Sequence, residues 1–122
     1  MHIGISTTMG DELARYLDLA AAQTKLTAAN MANLDTPGYK TVGFDFDAEM
    51  RKAIAGAEAD LPATTPKASH VDGLVSRPDG NNVSMDREGL NLADAQLKYR
   101  TGVSLLRVEY QRTMDAIHAQ DR

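Results

Sequence analysis

The sequence predicts a mainly α-helical fold, in which long helices at the two ends of the chain pair in a coiled-coil-like unit. Apolar residues recur at spacings of three and four near both ends, the pattern of amphipathic helices. Three of the four prolines lie in the middle, which favours a partly extended, loop-rich connection. We therefore divide the 122 residues into a helix and turn (1–40), a middle segment (41–82) and a second helix (83–122), the two helices forming one unit.

The first helix is predicted from Met9 to Asn33. Asp11 and Glu12 fall in its first turn, where carboxylates interact favourably with the helix dipole. Helix ends are often followed closely by proline, and Pro37 lies a few residues beyond Asn33. The heptad-like apolar stripe of this helix, weakened by two threonines and an alanine, comprises Leu13, Leu17, Ala20, Thr24, Thr27, Met31 and Leu34.

A turn is predicted directly after the first helix. In the segment Thr36-Pro37-Gly38-Tyr39, proline fixes φ at the second position and glycine accepts a positive φ at the third, which predicts a type II turn. An ordinary helix stop explains this segment without further function.

Two asparagines, Asn30 and Asn33, lie one helical turn apart at the end of the first helix. Their amides either bond unpaired carbonyls at the helix end or bond a neighbouring chain. The capping interpretation requires no partner.

The middle segment begins with apolar residues at every second position, Val42, Phe44 and Phe46, which predicts a short strand. A brief helix is expected from Glu49 to Ala59. Asp79-Gly80 marks a turn.

Alternating carboxylates accompany the predicted strand. Asp45, Asp47 and Glu49 resemble part of a calcium loop, but the glycine and the later bidentate glutamate of that loop are missing. We therefore expect them on the solvent side of the strand, with no metal bound.

The second helix is predicted from Met85 to Ala119, with Ser84 as its N-cap. Its length of ~50 Å is too great for a compact domain of this size, so we expect it to project into an oligomer. Gly89 and Gly102 interrupt it, and close approach of another helix would explain them. Its main stripe comprises Leu92, Tyr99, Val103, Leu106, Tyr110 and Ile117.

Helix pairing is assigned to the large residues of the two stripes. Further apolar residues lie on second faces of both helices, and either neighbouring chains or the folded-over middle segment could cover them. The residues predicted to pair helices, or to form the assembly interface, are Leu13, Leu17, Met31, Leu92, Tyr99, Val103, Leu106, Tyr110 and Ile117.

Composition argues against several function classes. The net charge of −4 includes no basic stripe, so nucleic-acid binding is not expected. The sequence contains no apolar run of 18 residues, so membrane insertion is not expected. The first residues lack the features of a cleaved secretory signal. No nucleophile motif, cofactor loop or histidine metal pair occurs, so we expect neither an enzyme nor a bound cofactor.

The segment from Ala29 to Lys40 resembles the Ala-Asn-x-Ala-Asn-x-x-Thr-Pro-Gly-Tyr-Lys signature of flagellar rod and hook proteins. Phe44-Asp45-Phe46, the block from Asp79 to Glu88 and the block from Gln96 to Arg100 further resemble proximal-rod subunits. The resemblance reaches both ends of the chain and fails in the central loop.

That resemblance implies a structural subunit of the bacterial flagellar basal body, which builds the proximal rod and transmits torque. It implies contacts with other copies, other rod proteins, membrane-ring and export-gate components, and the type III export apparatus. It places the chain in the periplasmic rod, exported without a cleaved signal; another rod component, or a soluble helical adapter or chaperone, is the alternative. The residues that would fix the turn and contact other subunits are Asn30, Asn33, Thr36, Pro37, Gly38 and Tyr39.

Overall fold

A computed structural model of the protein describes residues 8–121; the first seven residues, on which the expectation about a cleaved signal rests, lie outside that range. The long helices pack along each other, and the middle helix packs on the first. The predicted mainly helical fold with a loop-rich middle is therefore confirmed. The described elements are α1 (Thr8–Ala32), β1 (Val42–Gly43), α2 (Phe46–Glu58), β2 (Ser69–His70) and α3 (Met85–Gln120).

Helices α1 and α3 run antiparallel. Near the end of α1 and the start of α3, Asn30 contacts Glu88. Further along, the Gln23 side chain donates to the Asp94 carboxylate. Because α3 is longer than α1, its last turns extend beyond Thr8.

The two glycines of α3 differ in their surroundings. A Cβ atom on Gly102 would lie 2.7 Å from Leu17 Cδ2 and 3.0 Å from Tyr16 Cδ2, so this glycine permits close approach of α1, as expected. A Cβ atom on Gly89 would meet nothing within 4 Å in the described chain. For Gly89 the expectation of close approach is wrong within this chain, since the residue faces outward.

The predicted strand from Val42 through Phe46 is wrong beyond Gly43. Residues Val42 and Gly43 pair antiparallel with His70 and Ser69, respectively. The chain then enters α2, because the Asp45 carboxylate accepts a hydrogen bond of 3.1 Å from the Ala48 amide and caps the helix. Helix α2 consequently begins three residues before the predicted Glu49.

The alternating carboxylates do not lie on a strand face. Asp45 is the cap of α2, and Asp47 lies in its first turn. Glu49 is buried, and its carboxylate accepts hydrogen bonds from Lys52 Nζ (3.3 Å) and from the Lys67 amide (3.4 Å). Local capping therefore outweighs the period-two pattern, which was a misleading signal here.

The described core is thin and unusually polar. Its buried apolar residues are few and mostly small, whereas its largest fully buried side chains are polar. Hydrogen bonds, more than packed apolar volume, must therefore specify how the helices meet. The buried apolar residues are Leu19, Ala20, Ala57, Val83 and Ala95, and the largest fully buried side chains are Glu88, Asn30, Asn81 and Thr41.

Candidate assembly site

The turn after α1 has the geometry that its glycine permits. Gly38 has a φ of +77°, in the left-handed region that disfavours residues with a Cβ atom. The Tyr39 amide donates to the Thr36 carbonyl at 3.2 Å, which closes the turn. Pro37 and Gly38 are exposed, so the tip of the turn is available to other molecules.

Asn33 and Asn30 perform different tasks. The side-chain amide of Asn33 donates to the Ala29 carbonyl at 2.8 Å and so satisfies an acceptor at the end of α1. The Asn30 side chain, only 1% exposed, instead donates to the Val42 carbonyl (2.8 Å) and the Glu88 carboxylate (2.6 Å). Its oxygen accepts from the Val42 amide (3.1 Å) and the Tyr39 hydroxyl (3.0 Å). Asn30 therefore neither caps α1 nor has capacity left for a neighbouring chain.

Glu88 links the start of α3 to this asparagine. Its carboxylate is 1% exposed and also receives Arg87 Nη1 at 2.7 Å. A buried carboxylate is tolerated only when paired and hydrogen-bonded, and both conditions are met. Asp86 and Glu88 are both acids in the first turn of α3, and only the position of α1 distinguishes them.

The loop before α3 completes the end of α1. The fully buried Asn81 amide donates to the carbonyls of Asn33 and Thr36, each at 2.9 Å. The Arg77 guanidinium donates to the Leu34 carbonyl and, at 3.1 Å, to the Val83 carbonyl. These two residues were missed as functional candidates. The only signal for Asn81 was its place in the block from Asp79 to Glu88.

The turn at Gly38 and the turn at Gly80 touch through their backbones. The Gly38 amide donates to the Asp79 carbonyl at 2.9 Å. A Cβ atom on Gly80, which has a φ of +87°, would lie 3.4 Å from Gly38 Cα. The turn from Thr36 to Tyr39 and the loop before α3 thus form one rigid corner at this end of the helix pair.

An aromatic cluster ties α2 to both long helices. The Phe46 ring meets Tyr16 edge-on at 5.7 Å, and Lys98 Nζ lies 3.8 Å from its centroid. Burial, followed by the nearby Asp94 charge, raises the pKa of the Tyr16 hydroxyl. Hydrogen bonds, first from Lys98 and then from Gln23, lower the pKa of the Asp94 carboxyl.

The predicted pairing residues divide by exposure. Leu17 contacts α3 next to Gly102, whereas Tyr110 lies level with the start of α1 and Ile117 lies where α3 extends beyond Thr8. The half-buried members are Leu13, Leu17, Met31, Leu92, Val103 and Leu106, and the exposed members are Tyr99 (45%), Tyr110 (56%) and Ile117 (37%).

Helix α3 also exposes an apolar face that points away from α1. Leu90 is 73% exposed, Leu97 is 65% exposed and Val108 is 56% exposed. These three residues lie on one side of the helix, because they are separated by seven and eleven residues. An exposed apolar row of this kind is typical of an interaction surface.

The described residues contain no group of three histidine, cysteine, aspartate or glutamate side chains arranged to hold a metal ion. No helix among them is long and apolar enough to span a bilayer. A cavity of about 330 Å³ opens between α1, the β1–β2 pair and the start of α3. Its walls are the structural residues already described, including Thr27, Val42, His70 and Glu88.

Comparison with known proteins agrees with this architecture. A family profile described as "Flagella basal body rod protein" matches residues 17–40, the second half of α1 and the turn. The flagellar basal body rod protein FlgB of Salmonella typhimurium is 33% identical over 119 residues, covering 83% of this chain and 86% of that protein.

Further relatives carry the same name. FlgB of Yersinia enterocolitica is 33% identical, over 74% of this chain and 79% of that protein. FlgB of Escherichia coli K12 is 30% identical, over 84% of this chain and 88% of that protein. The similarity extends well beyond the motif into both helices, and this chain therefore belongs to the FlgB family of flagellar basal body rod proteins.

Proposed function

We propose that this chain is a structural subunit of the proximal rod of the flagellar basal body and transmits torque there. The observation that carries the proposal is the 33% identity with a rod protein over 83% of the chain. The role is mechanical, so it requires no catalytic residue and no cofactor.

The architecture suits a load-bearing part. In a long helix the backbone hydrogen bonds are internal, and a second antiparallel helix resists bending of the first. The buried contacts between Asn30 and Glu88, and between Asn81 and the end of α1, fix the corner at which the two helices meet. The exposed apolar residues of α3 are available to neighbouring subunits.

The proposed partners are other copies of this chain, other rod proteins, and the membrane-ring and export-gate components at the rod base. Passage through the flagellar type III export apparatus, without cleavage of a signal, would bring the subunit to the periplasmic rod. The exposed tip formed by Pro37 and Gly38, with Tyr39 and Thr36 behind it, is a proposed contact in that assembly.

A complementation experiment tests this function. A tagged copy should restore swimming to a strain that lacks its own gene, and the tag should appear at the base of the rod in electron micrographs of isolated basal bodies. Restored swimming with the tag absent from basal bodies, or a tag found only in the cytoplasm, would contradict the proposal and favour an adapter or chaperone.

A matched pair of variants tests the helix seam in the same strain. Leu106→Asp places a charge on the half-buried face of α3 and should abolish swimming. Gln96→Asp introduces the same side chain at an exposed position and should leave swimming intact. Normal swimming with Leu106→Asp would show that the seam is assigned wrongly.

A further inference from the structure

We propose that residues 44–68, which comprise α2 and the loop that leads to β2, form a flap that opens away from α1 as a unit while α1 and α3 stay paired. The flap is hinged at the β1–β2 pair, and Arg15 of α1 holds it closed. Such a motion belongs to the single chain, so it does not rest on the proposed function.

Both ends of the flap lie at the β1–β2 pair. Gly43, the last residue before the flap, pairs with Ser69, the first residue after it. The pair is fixed to α1, because the Asn30 side chain bonds the Val42 carbonyl (2.8 Å) and the Val42 amide (3.1 Å). The flap can therefore leave α1 without moving the strands or separating the two long helices.

The flap makes few contacts with the rest of the molecule. Among the described elements, α2 packs its backbone against α1 alone. The buried residues of α2 are Glu49 and Ala57, so α2 places one small apolar side chain in the core. Near the hinge, the Phe46 ring adds contacts with Tyr16 (5.7 Å) and Lys98 (3.8 Å). An element with so little buried apolar surface opens at a lower free energy than the core of the fold.

Arg15 holds the end of α2 that lies opposite the hinge. The residue is 8% exposed and crosses α2 at Gly56, where an added Cβ atom would lie 2.8 Å from Arg15 Nη1. Its Nη2 group donates to the Leu61 carbonyl, and the Asp11 carboxylate lies 3.2 Å from the same nitrogen. Because Leu61 follows the end of α2, this hydrogen bond joins α1 to the far end of the flap.

The contact of Arg15 with the flap is incompletely satisfied. Arg15 Nε is buried and has no hydrogen-bond partner among the described residues. An unused donor on a buried guanidinium is destabilising, and water reaches that donor when the flap opens. Desolvation therefore offsets part of the contact and lowers the free energy of opening.

The packing and the backbone of the flap also favour opening. A cavity of about 160 Å³ lies between the flap and α1, with Leu19, Ala53 and Pro62 in its walls, so the two surfaces are packed loosely. Asp60, in the turn after α2, has a φ of +56°, a conformation that residues with a Cβ atom rarely adopt. Opening would uncover Leu19, which is 5% exposed in the closed form.

The buried carboxylate of Glu49 joins the two parts of the flap to each other. It accepts hydrogen bonds from Lys52 Nζ at 3.3 Å and from the Lys67 amide at 3.4 Å. Both partners belong to the flap, so these bonds do not hold it on α1. They connect α2 to the loop after it, and the two parts should therefore open together.

Hydrogen exchange at single-amide resolution tests the motion in the purified full-length chain. A detached helix of 13 residues is marginal in water, so opening of the flap should also expose its amides. After correction for intrinsic rates, amides from Met50 to Ala59 should exchange roughly tenfold faster, or more, than those from Ala20 to Asn30. Their dependence on urea should be weaker, because the flap exposes less surface than complete unfolding does. Equal protection and equal urea dependence of the two groups would overturn the inference.

Removal of the Arg15 contact distinguishes opening as a unit from fraying of one end of α2. In Arg15→Ala, the amides from Met50 to Ala53, near the hinge, should accelerate several-fold and by the same factor as those from Gly56 to Leu61. The matched control Arg51→Ala removes the same side chain from an exposed position of α2 and should leave both rates nearly unchanged. Acceleration confined to the amides from Gly56 to Leu61 would show that no unit opens.

A variant outside the flap tests whether α1 and α3 stay paired when the flap opens. Asn33→Ala removes a hydrogen bond to the Ala29 carbonyl that the open form would keep. Complete unfolding should therefore become roughly two- to fivefold more frequent, which accelerates α3 amides from Asn91 to Lys98, whereas α2 amides should keep their rates. Acceleration of α2 and α3 amides by the same factor would show that α2 opens only with the whole molecule, and would overturn the inference.

Discussion

The buried amide of Asn30 donates a hydrogen bond of 2.6 Å to the buried carboxylate of Glu88 and so joins the end of α1 to the first turn of α3. The two residues are 58 positions apart in sequence, and each is 1% exposed. In a chain whose apolar core is thin, this contact determines which parts of the two helices lie side by side.

Removal of the Asn30 amide should therefore destabilise the fold strongly. Asn30→Ala removes the hydrogen bonds to the Val42 backbone and leaves the buried Glu88 carboxylate with Arg87 as its remaining partner, so we expect a loss of about 2–4 kcal/mol in the free energy of unfolding by urea. Asn33→Ala removes an exposed hydrogen bond that water can replace, and should cost about 0.5–1 kcal/mol. Similar losses for the two variants would show that the buried contact has no special weight.

Gly38 should not accept a branched side chain. Gly38→Val forces a β-branched residue to a φ of +77° and should cost about 1–2 kcal/mol, although nothing within 4 Å would clash with its Cβ atom. Gly38→Asn should cost less, because asparagine tolerates this conformation better. Urea unfolding would measure both. A valine variant as stable as the wild type, with normal rod assembly, would contradict the type II turn.

The two glycines of α3 should respond to alanine in opposite ways. Gly89→Ala adds a methyl group into open space and should stabilise the chain by up to about 1 kcal/mol through helix propensity. Gly102→Ala puts a methyl group 2.7 Å from Leu17 and should end about 1–3 kcal/mol less stable than the Gly89 variant. Thermal unfolding would rank them, and equal stabilities would mean that α1 moves aside at no cost.

The Tyr16 hydroxyl should ionise later than an exposed tyrosine when the pH is raised. Because burial raises its pKa in the folded state, its contribution to stability is complete below about pH 10, the usual tyrosine value, and is lost as the pH rises through the higher folded value. Absorbance near 295 nm follows tyrosinate formation. Tyr16→Phe should remove a component of that titration that lies above the usual tyrosine range. Removal of a component at the usual tyrosine value would contradict the assigned burial of Tyr16.

The long helices could be predicted because their signals are local. Ser84 caps α3 as expected, with its hydroxyl accepting from the Arg87 amide, and the observed α1 is displaced by a single residue at each end from the predicted Met9–Asn33. These positions depend on capping residues and on apolar spacing, which a sequence displays directly.

The polar contacts could not be predicted because they depend on tertiary position. Asp45 was predicted on the solvent side of a strand, but in the folded chain its carboxylate caps α2. Asn81 and Arg77 look like ordinary loop residues, yet they satisfy carbonyls at the end of a helix more than 40 positions earlier. Long-range partners of this kind leave no periodic pattern in the sequence.

The long-range partners Asn81 and Glu88 also set the order in which the two long helices can pack together during synthesis. A chain that emerges from the ribosome amino end first presents α1 long before Asn81 and Glu88, which lie 48 and 58 positions after their respective partners. A helix in a protein gains most of its stability from packing of its apolar face, and α1 lacks its main packing partner until α3 has been made. During synthesis α1 therefore lacks its hydrogen-bond partners Asn81 and Glu88 until nearly three quarters of the polypeptide has been made.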